Sequence, residues 1–139
     1  MKVGERTSAD LARSPRKMDN LPGPARTLSI LVVDDDRDSA DGIAMLLSHW
    51  NHNVRVAYEG RRAIEIFRDQ RPDLVLLDIG LPGMDGYELA TRLRLERHRA
   101  FLVALTGYTD RRRAIAAGFE EHFPKPVDPD ALRDLISSL

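Results

Sequence analysis

The chain has 139 residues, of which 42% are hydrophobic and 31% charged, and its formal net charge is −1. This length fits one domain with its own core, and the absence of cysteine excludes disulfides and thiolate metal sites. The near-neutral charge gives no reason to expect nucleic-acid binding. The apolar stretches are too short to span a bilayer, and the charged N-terminus lacks an apolar signal core. We therefore expect a cytoplasmic protein without membrane contact.

The first 26 residues differ in composition from the rest of the chain. They hold six basic and three acidic residues, and three prolines and two glycines interrupt them. Charged, proline-containing tails are usually disordered, although such a basic tail also suits docking to an acidic partner. The composition predicts a flexible leader over 1–26 and a folded domain over 27–139.

From residue 28 onward, apolar runs alternate with segments of helical periodicity. In chain order the runs predict strands at 28–33, 53–57, 74–78, 101–105 and 122–124. The segments that follow them predict helices at about 37–50, 60–70, 85–95, 110–117 and 129–139. The last helix has Asp128 as its expected N-cap.

The strand pattern also predicts the order of the sheet. Strands one, three and four are continuous apolar runs, which is typical of buried parallel strands. The second strand alternates and the fifth contains Pro124, so both suit an edge. Five βα units with right-handed crossovers then give an α/β fold with a doubly wound parallel sheet of order 2-1-3-4-5. This is the flavodoxin-like, three-layer α/β/α architecture.

Residues suited to phosphate and metal chemistry stand at the carboxyl ends of four strands. Asp34 and Asp35 follow strand one, Asp78 ends strand three, Thr106 follows strand four, and Lys125 follows strand five. Ligands of open α/β sheets bind along that edge. Two carboxylates about 4 Å apart repel by roughly 4 kcal/mol at an effective dielectric of about 20, a penalty that a bound cation removes. Oxygen ligands without nearby histidine or cysteine favour Mg²⁺, with Mn²⁺ as the alternative.

Four motifs, in this order, resemble the receiver domain of bacterial two-component response regulators, the chemotaxis-type receiver. They are ILVVDDD at 30–36, DLVLLDIGLPGMDG at 73–86, VALTGY at 103–108 and FPKP at 123–126. Together they span the chain from residue 28 to its end, so the likeness leaves out only the leader. The resemblance implies a phosphorelay signalling module that catalyses only its own phosphorylation and dephosphorylation, and not an enzyme acting on a separate metabolite.

The resemblance implies a role for each acid of the predicted site. Asp78 corresponds to the phosphoacceptor, which takes a phosphoryl group from a phosphohistidine of a histidine kinase or histidine phosphotransfer protein. Asp35 would bind Mg²⁺ directly and Asp34 largely through water. The backbone carbonyl of Gly80 and Asp78 itself would complete the protein's share of the metal shell.

The remaining site residues are also assigned by resemblance. Lys125 would pair with the phosphoryl oxygens, Thr106 would donate a hydrogen bond to one of them, and the Lys125–Pro126 peptide bond would be cis. Thr106 and His122 stand at switch positions, where His122 replaces the usual Tyr or Phe. Tyr108 is predicted to shield the phosphoryl group from water. Since nothing follows the last helix, we expect output by contact with a further, unidentified protein and no attached effector domain.

One segment departs from the family pattern. The stretch from Thr106 to Lys125 is a few residues shorter than in most receivers, and the loss falls just before Arg111. The fourth helix should therefore have only about two turns and start near Asp110. Arg111, Arg112 and Arg113 then lie near its N-terminus, where cations oppose the helix dipole. They are either remnants of a longer helix or a basic patch for an acidic partner.

Two other functions match part of the pattern. Asp34-x-Asp36 resembles the nucleophile motif of haloacid-dehalogenase-like phosphatases, which also use a threonine and a lysine. Those enzymes, however, need a further acidic pair late in the chain and a cap or a larger core. A receiver that no longer accepts phosphate usually lacks an acid, the threonine or the lysine, and none of these is missing here.

Overall fold

The computed structural model describes residues 26–107 and 111–139, without the side chain of Arg111. The leader predicted over 1–26, apart from its last residue, and the shielding role predicted for Tyr108 lie outside these residues. Within them the chain forms five strands, β1 (Ser29–Val33), β2 (Asn53–Ala57), β3 (Leu74–Asp78), β4 (Phe101–Thr106) and β5 (Glu121–Pro124). The five helices are α1 (Arg37–His49), α2 (Gly60–Gln70), α3 (Gly86–Arg94), α4 (Arg111–Ala117) and α5 (Pro129–Ser137).

The strands form one parallel sheet in the order β2-β1-β3-β4-β5, which confirms the predicted topology. The strands of the middle, β1, β3 and β4, are buried almost throughout. At the carboxyl edge Asp78 pairs with Leu105, and the next residue of β4, Thr106, pairs with Pro124. This register brings Asp78, Thr106 and Lys125 to the same edge of the sheet.

The sheet divides the core into two layers, because successive side chains of a strand point to opposite faces. Along β1, Leu31 and Val33 belong to the cluster packed against α2, α3 and α4, whereas Ile30 and Val32 belong to the cluster packed against α1 and α5. The helices contribute buried residues to both clusters, among them Phe67, Leu89 and Ala114 on the first face and Leu47, Leu132 and Ile136 on the second. The predicted three-layer α/β/α arrangement is therefore confirmed.

Local signals explain where the helices begin and end. The side chains of Asp36, Asp85 and Asp128 accept backbone N–H groups in the first turns of α1, α3 and α5, as N-cap residues do. Helix α4 has seven residues and ends before Gly118, whose φ is +102°. The prediction of a two-turn fourth helix is thus confirmed. None of the helices in the described part of the chain is both long and apolar enough to cross a bilayer.

His52 connects the end of α1 to the start of β1. Its Nδ1 accepts the backbone N–H of Leu28 at 3.0 Å, and only 8% of the residue is exposed. Burial lowers the pKa of His52 below the ordinary 6.5, because the charged imidazolium loses solvation. The acceptor role likewise requires a ring nitrogen without a proton.

We predict that His52 makes the fold less stable as the pH falls below about 6.5. Above that pH the imidazole is neutral in both the folded and the unfolded chain. Below it, the unfolded chain takes up a proton that the folded chain resists, so unfolding becomes more favourable. An asparagine side chain at this position would keep an acceptor oxygen but could not titrate. His52→Asn should therefore flatten the fall in unfolding free energy between about pH 7.5 and 5.5.

The measurement is urea unfolding across this pH range, with His49→Asn as the control. His49 lies three residues earlier, at the end of α1, and is exposed. Its replacement removes a histidine without removing the buried acceptor of the Leu28 N–H, so an effect seen only in His52→Asn is assigned to this contact. Equal slopes for His52→Asn and the unmodified protein would contradict the prediction.

Candidate functional site

Three carboxylates converge at the carboxyl edge of the sheet. Asp34, Asp35 and Asp78 each place one oxygen within 4.8 Å of the others. Asp34 is fully buried and Asp78 is 8% exposed, whereas Asp35 is exposed. The sequence prediction that these three acids lie together is confirmed. The cluster holds oxygen donors of the kind that hard divalent cations prefer, so these residues fit a Mg²⁺ ion.

The turn after β1 fixes the first two acids. The backbone N–H of Asp34 donates to the carbonyl of Ala57 at 3.1 Å, which extends the ladder with β2. One carboxylate oxygen of Asp34 accepts the N–H of Asp36 at 3.0 Å, and Asp36 itself caps α1. The side chain of Asp36 is thereby engaged as the N-cap of α1, whereas Asp35, between Asp34 and Asp36, is exposed to solvent.

Asp78 is held at the end of β3 by the following loop. Its Oδ1 accepts the backbone N–H of Gly80 at 3.1 Å. Burial raises the pKa of Asp78, the Gly80 hydrogen bond opposes that rise, and the neighbouring Asp34 carboxylate adds to it. The carboxylate therefore has a weaker preference for its charged form than an exposed aspartate, as expected of a group crowded by another acid.

Lys125 supplies the positive charge of the site. Its Nζ lies 3.0 Å from Asp34 Oδ2 and 3.5 Å from Asp78 Oδ2. The backbone N–H of Lys125 donates to the carbonyl of Thr106 at 2.9 Å, and the Lys125–Pro126 peptide bond is cis, as the resemblance implied. Burial disfavours the ammonium, but the hydrogen bond to Asp34 and the two carboxylate charges outweigh it and raise the pKa of Lys125. Lys125 is therefore a permanent cation at neutral pH.

A cavity of about 540 Å³ opens over Asp78. Its walls come from the end of β3, the starts of α3 and α4, and the ends of β4 and β5; they are Asp78, Ile79, Gly80, Tyr87, Thr106, Gly107, Arg113 and Lys125. Of the three clustered acids, only Asp78 lines it. A group entering this cavity meets one carboxylate, two hydroxyl-bearing side chains and two cationic side chains.

His122 lies apart from this cavity. It is in β5, paired with Ala104, and its side chain is 23% exposed with Nδ1 3.8 Å from Glu121. It lines a separate cavity of about 40 Å³ beside α4, together with Ala114 and Ile115 among others. The side chain of His122 therefore lies beside α4 and does not line the cavity over Asp78. Its switching role stays a prediction.

Sequence reasoning missed the part that Gly86 plays in the site. A Cβ at this position would lie 2.5 Å from the Cα of Ile79 and 2.7 Å from the carbonyl oxygen of Asp78. The N–H of Gly86 also donates to the carbonyl of Ile79 at 2.8 Å. Gly86, the first residue of α3, thus packs directly on the backbone of Asp78. The sequence pattern did not indicate this contact, because it depends on how closely α3 approaches the end of β3.

Arg113 was also not singled out by the sequence. Its guanidinium carbon lies 4.2 Å from the ring centre of Tyr87, and its Nη2 is 3.6 Å from Asp85 Oδ2. The sequence treats the three consecutive arginines alike. The packing of α4 against α3 brings Arg113 to the cavity, whereas Arg112 is exposed and does not line it.

The fold agrees with comparisons to known proteins. Residues 30–137 match the family model of the response regulator receiver domain. The chain is 37% identical over 114 residues to an uncharacterised 14.6 kDa protein of Leptolyngbya boryana, a match that covers 78% of this chain and 87% of that protein. It is 34% identical over 113 residues to response regulator MprA of Mycolicibacterium vanbaalenii, covering 79% of this chain and 48% of MprA. The chain thus spans about half the length of the MprA relatives it matches.

Two solved structures illustrate the similarity in three dimensions. A CheY-like receiver domain protein of Methanospirillum hungatei has a TM-score of 0.75 at 28% identity, with 81% of this chain and 93% of that chain covered. The other is the Saccharomyces cerevisiae complex of the phosphotransfer protein Ypd1 with the Ssk1 receiver domain. This match has a TM-score of 0.72 at 24% identity and covers 80% of this chain and 87% of that chain. At that identity the second likeness concerns the fold.

We predict that Gly86→Ala destabilises the protein by about 1–3 kcal/mol, since the added methyl group must displace the backbone below it. Gly42→Ala is the matched control. Gly42 is an exposed glycine within α1, and apart from its chain neighbours and the backbone of its own helix no described atom lies within 4 Å of a Cβ built there. That change should stabilise the protein by up to about 1 kcal/mol through helix propensity. Denaturant unfolding measures both, and equal effects of the two changes would contradict the close packing at Gly86.

Proposed function

The chain belongs to the response regulator receiver family, and from its site we propose that Asp78 accepts a phosphoryl group from a phosphohistidine of a partner protein, in a reaction that requires Mg²⁺. We take residues 27–139 as the receiver domain. The observation that carries the proposal is that Asp78 alone among the clustered acids lines the cavity, where Thr106 and Lys125 also reach.

In the proposed reaction an oxygen of Asp78 attacks the phosphorus. An oxygen–phosphorus bond forms, the phosphorus–nitrogen bond of the phosphohistidine breaks, and its electron pair remains on the imidazole nitrogen. Lys125 is 3.5 Å from Asp78 and can pair with the phosphoryl oxygens, and the buried hydroxyl of Thr106 can donate to one of them. Catalysis then consists of positioning and charge neutralisation.

The three acids are the residues that would hold the metal. Their oxygens lie within 4.8 Å of one another, and the carbonyl of Gly80, which follows on the same loop, is the proposed additional ligand. When bound, Mg²⁺ supplies positive charge that offsets the repulsion between the acids and an incoming phosphoryl group. Asp34 and Asp35 would hold it from the β1 side of the site and Asp78 from β3.

We further propose a histidine phosphotransfer protein or histidine kinase as the phosphodonor. The Ssk1 receiver domain, similar to this chain in fold, was crystallised with the histidine phosphotransfer protein Ypd1. Downstream output would use contact with another protein, and catalysis would be limited to the domain's own phosphorylation and dephosphorylation.

The geometry gives less support to a phosphatase that uses Asp34-x-Asp36. The Asp34 side chain is fully buried, and its oxygens are engaged by Lys125 and by the N–H of Asp36. Asp36 is engaged as the cap of α1. A substrate phosphate could reach Asp78 through the cavity, whereas the buried Asp34 does not line it.

We predict that acetyl phosphate with Mg²⁺ adds one phosphoryl group to the protein, and that EDTA prevents it. Asp78→Asn should abolish the modification, because an amide oxygen is a far weaker nucleophile than a carboxylate. Intact-mass spectrometry measures the product. Tryptophan fluorescence is less suitable, since Trp50 lies beyond the far end of α1.

Asp69→Asn serves as the control, because Asp69 is a surface residue whose side chain is 76% exposed and pairs with Arg55. That variant should be phosphorylated like the unmodified protein. Undiminished phosphorylation of Asp78→Asn would refute the assignment. Continuous turnover of a phosphomonoester substrate, abolished by Asp34→Asn, would favour the phosphatase instead.

A further inference from the structure

We propose that Arg113 is a second cation for the phosphoryl group on Asp78, and that Asp85 holds it at α3 until that group is present. The inference rests on the proposed function of Asp78. It follows from the juxtaposition of Asp78, Lys125 and Arg113 around one cavity, with Arg113 contributed by the shortened helix α4.

The cavity accommodates this role. It measures about 540 Å³, and Arg113 and Lys125 line it together with the predicted phosphoacceptor. Lys125 enters from β5, whereas Arg113 enters from the first turn of α4. A phosphoryl group on Asp78 would therefore have cations available from two different elements. Arginine is well suited to such a group, because its planar guanidinium can donate two parallel hydrogen bonds to phosphate oxygens.

Two contacts of Arg113, with Asp85 and with Tyr87, are of a kind that can be exchanged. Its Nη2 is 3.6 Å from Asp85 Oδ2, and the two side chains are 60% and 49% exposed. Exposed ion pairs of this sort contribute little to stability, and the stacking on Tyr87 at 4.2 Å is likewise weak at an exposed site. A phosphoryl group carries more charge than the Asp85 carboxylate, so it would compete for the same guanidinium.

Two neighbouring arginines whose side chains the structure describes, Arg112 and Arg94, do not share these properties. Arg112 is exposed and does not line the cavity. Arg94 is committed to the fold, since its guanidinium donates to the carbonyls of Ala100 and Gly118 and pairs with Glu120. Of these three arginines with described side chains, Arg113 is thus the one whose place in the fold suits exchange between α3 and the phosphoryl group. Because it belongs to α4, that exchange would link phosphorylation to the position of this helix.

The test uses beryllofluoride, a phosphoryl mimic, in Mg²⁺ buffer, with binding to the full chain measured by calorimetry. Arg113→Ala should weaken binding about fivefold, equivalent to about 1 kcal/mol, the worth of one hydrogen bond at a partly exposed site. Arg112→Ala is the matched control from the same helix turn and should bind like the unmodified protein. Arg113→Lys should retain part of the affinity, because it keeps the charge without the planar fork.

Asp85→Asn distinguishes exchange from a purely structural contact. Asparagine is as good an N-cap as aspartate, so α3 keeps its cap while Arg113 loses its competing carboxylate. Binding should then become tighter, opposite to the effect of Arg113→Ala, although both changes break the same ion pair. If both variants bind more weakly, or if Arg113→Ala matches Arg112→Ala, the proposal is overturned. An unmodified protein that fails to bind beryllofluoride overturns the proposed function of Asp78 as well, whereas normal binding by all variants overturns only the role of Arg113.

Discussion

The pairing of Lys125 with Asp34 is the interaction on which the site depends. Asp34 is fully buried, and a buried carboxylate without a partner costs several kcal/mol. Its partner comes from the other end of the domain, 91 residues later, at a distance of 3.0 Å. The contact forms only if β1, β3, β4 and β5 are adjacent, parallel and in register. The order of the strands therefore also determines whether the buried carboxylate at the carboxyl edge has a cationic partner.

The fold could be predicted because its determinants are local. Continuous apolar runs indicated β1, β3 and β4, and Pro124 indicated an edge strand at β5. The acids, Thr106 and Lys125 could be brought together as well, since each lies directly at a strand end and parallel strands share an edge. The shortness of α4 was predictable from Gly118 and from the shorter stretch between Thr106 and Lys125 than the family pattern has.

What escaped prediction depends on distances between elements. The role of Gly86 arises from its close approach to the backbone of Asp78, and the role of Arg113 from the packing of α4 on α3. The sequence contains both residues but not the distances that give them their roles, from α3 to the end of β3 for Gly86 and from α4 to α3 for Arg113. His122 occupies the position that the family motif assigns to a switch, yet whether its imidazole moves depends on the contact between β5 and α4. The motif identifies which residue stands at the switch position, but whether that side chain can move is decided by the packing around it.

The same charge balance explains why the proposed reaction should need a divalent cation. Before phosphorylation, the ammonium of Lys125 compensates Asp34 at 3.0 Å and Asp78 at 3.5 Å. To pair with phosphoryl oxygens, Lys125 has to give up part of this contact, and Asp34 would then be a buried charge without compensation. Asp34 therefore needs a second cationic partner before Lys125 can leave it, and the exposed Asp35 beside it offers a further oxygen for that cation. In the proposed reaction the acidic cluster would keep the lysine in place in the resting protein, and release of the lysine would require a divalent cation that offsets the charge of Asp34.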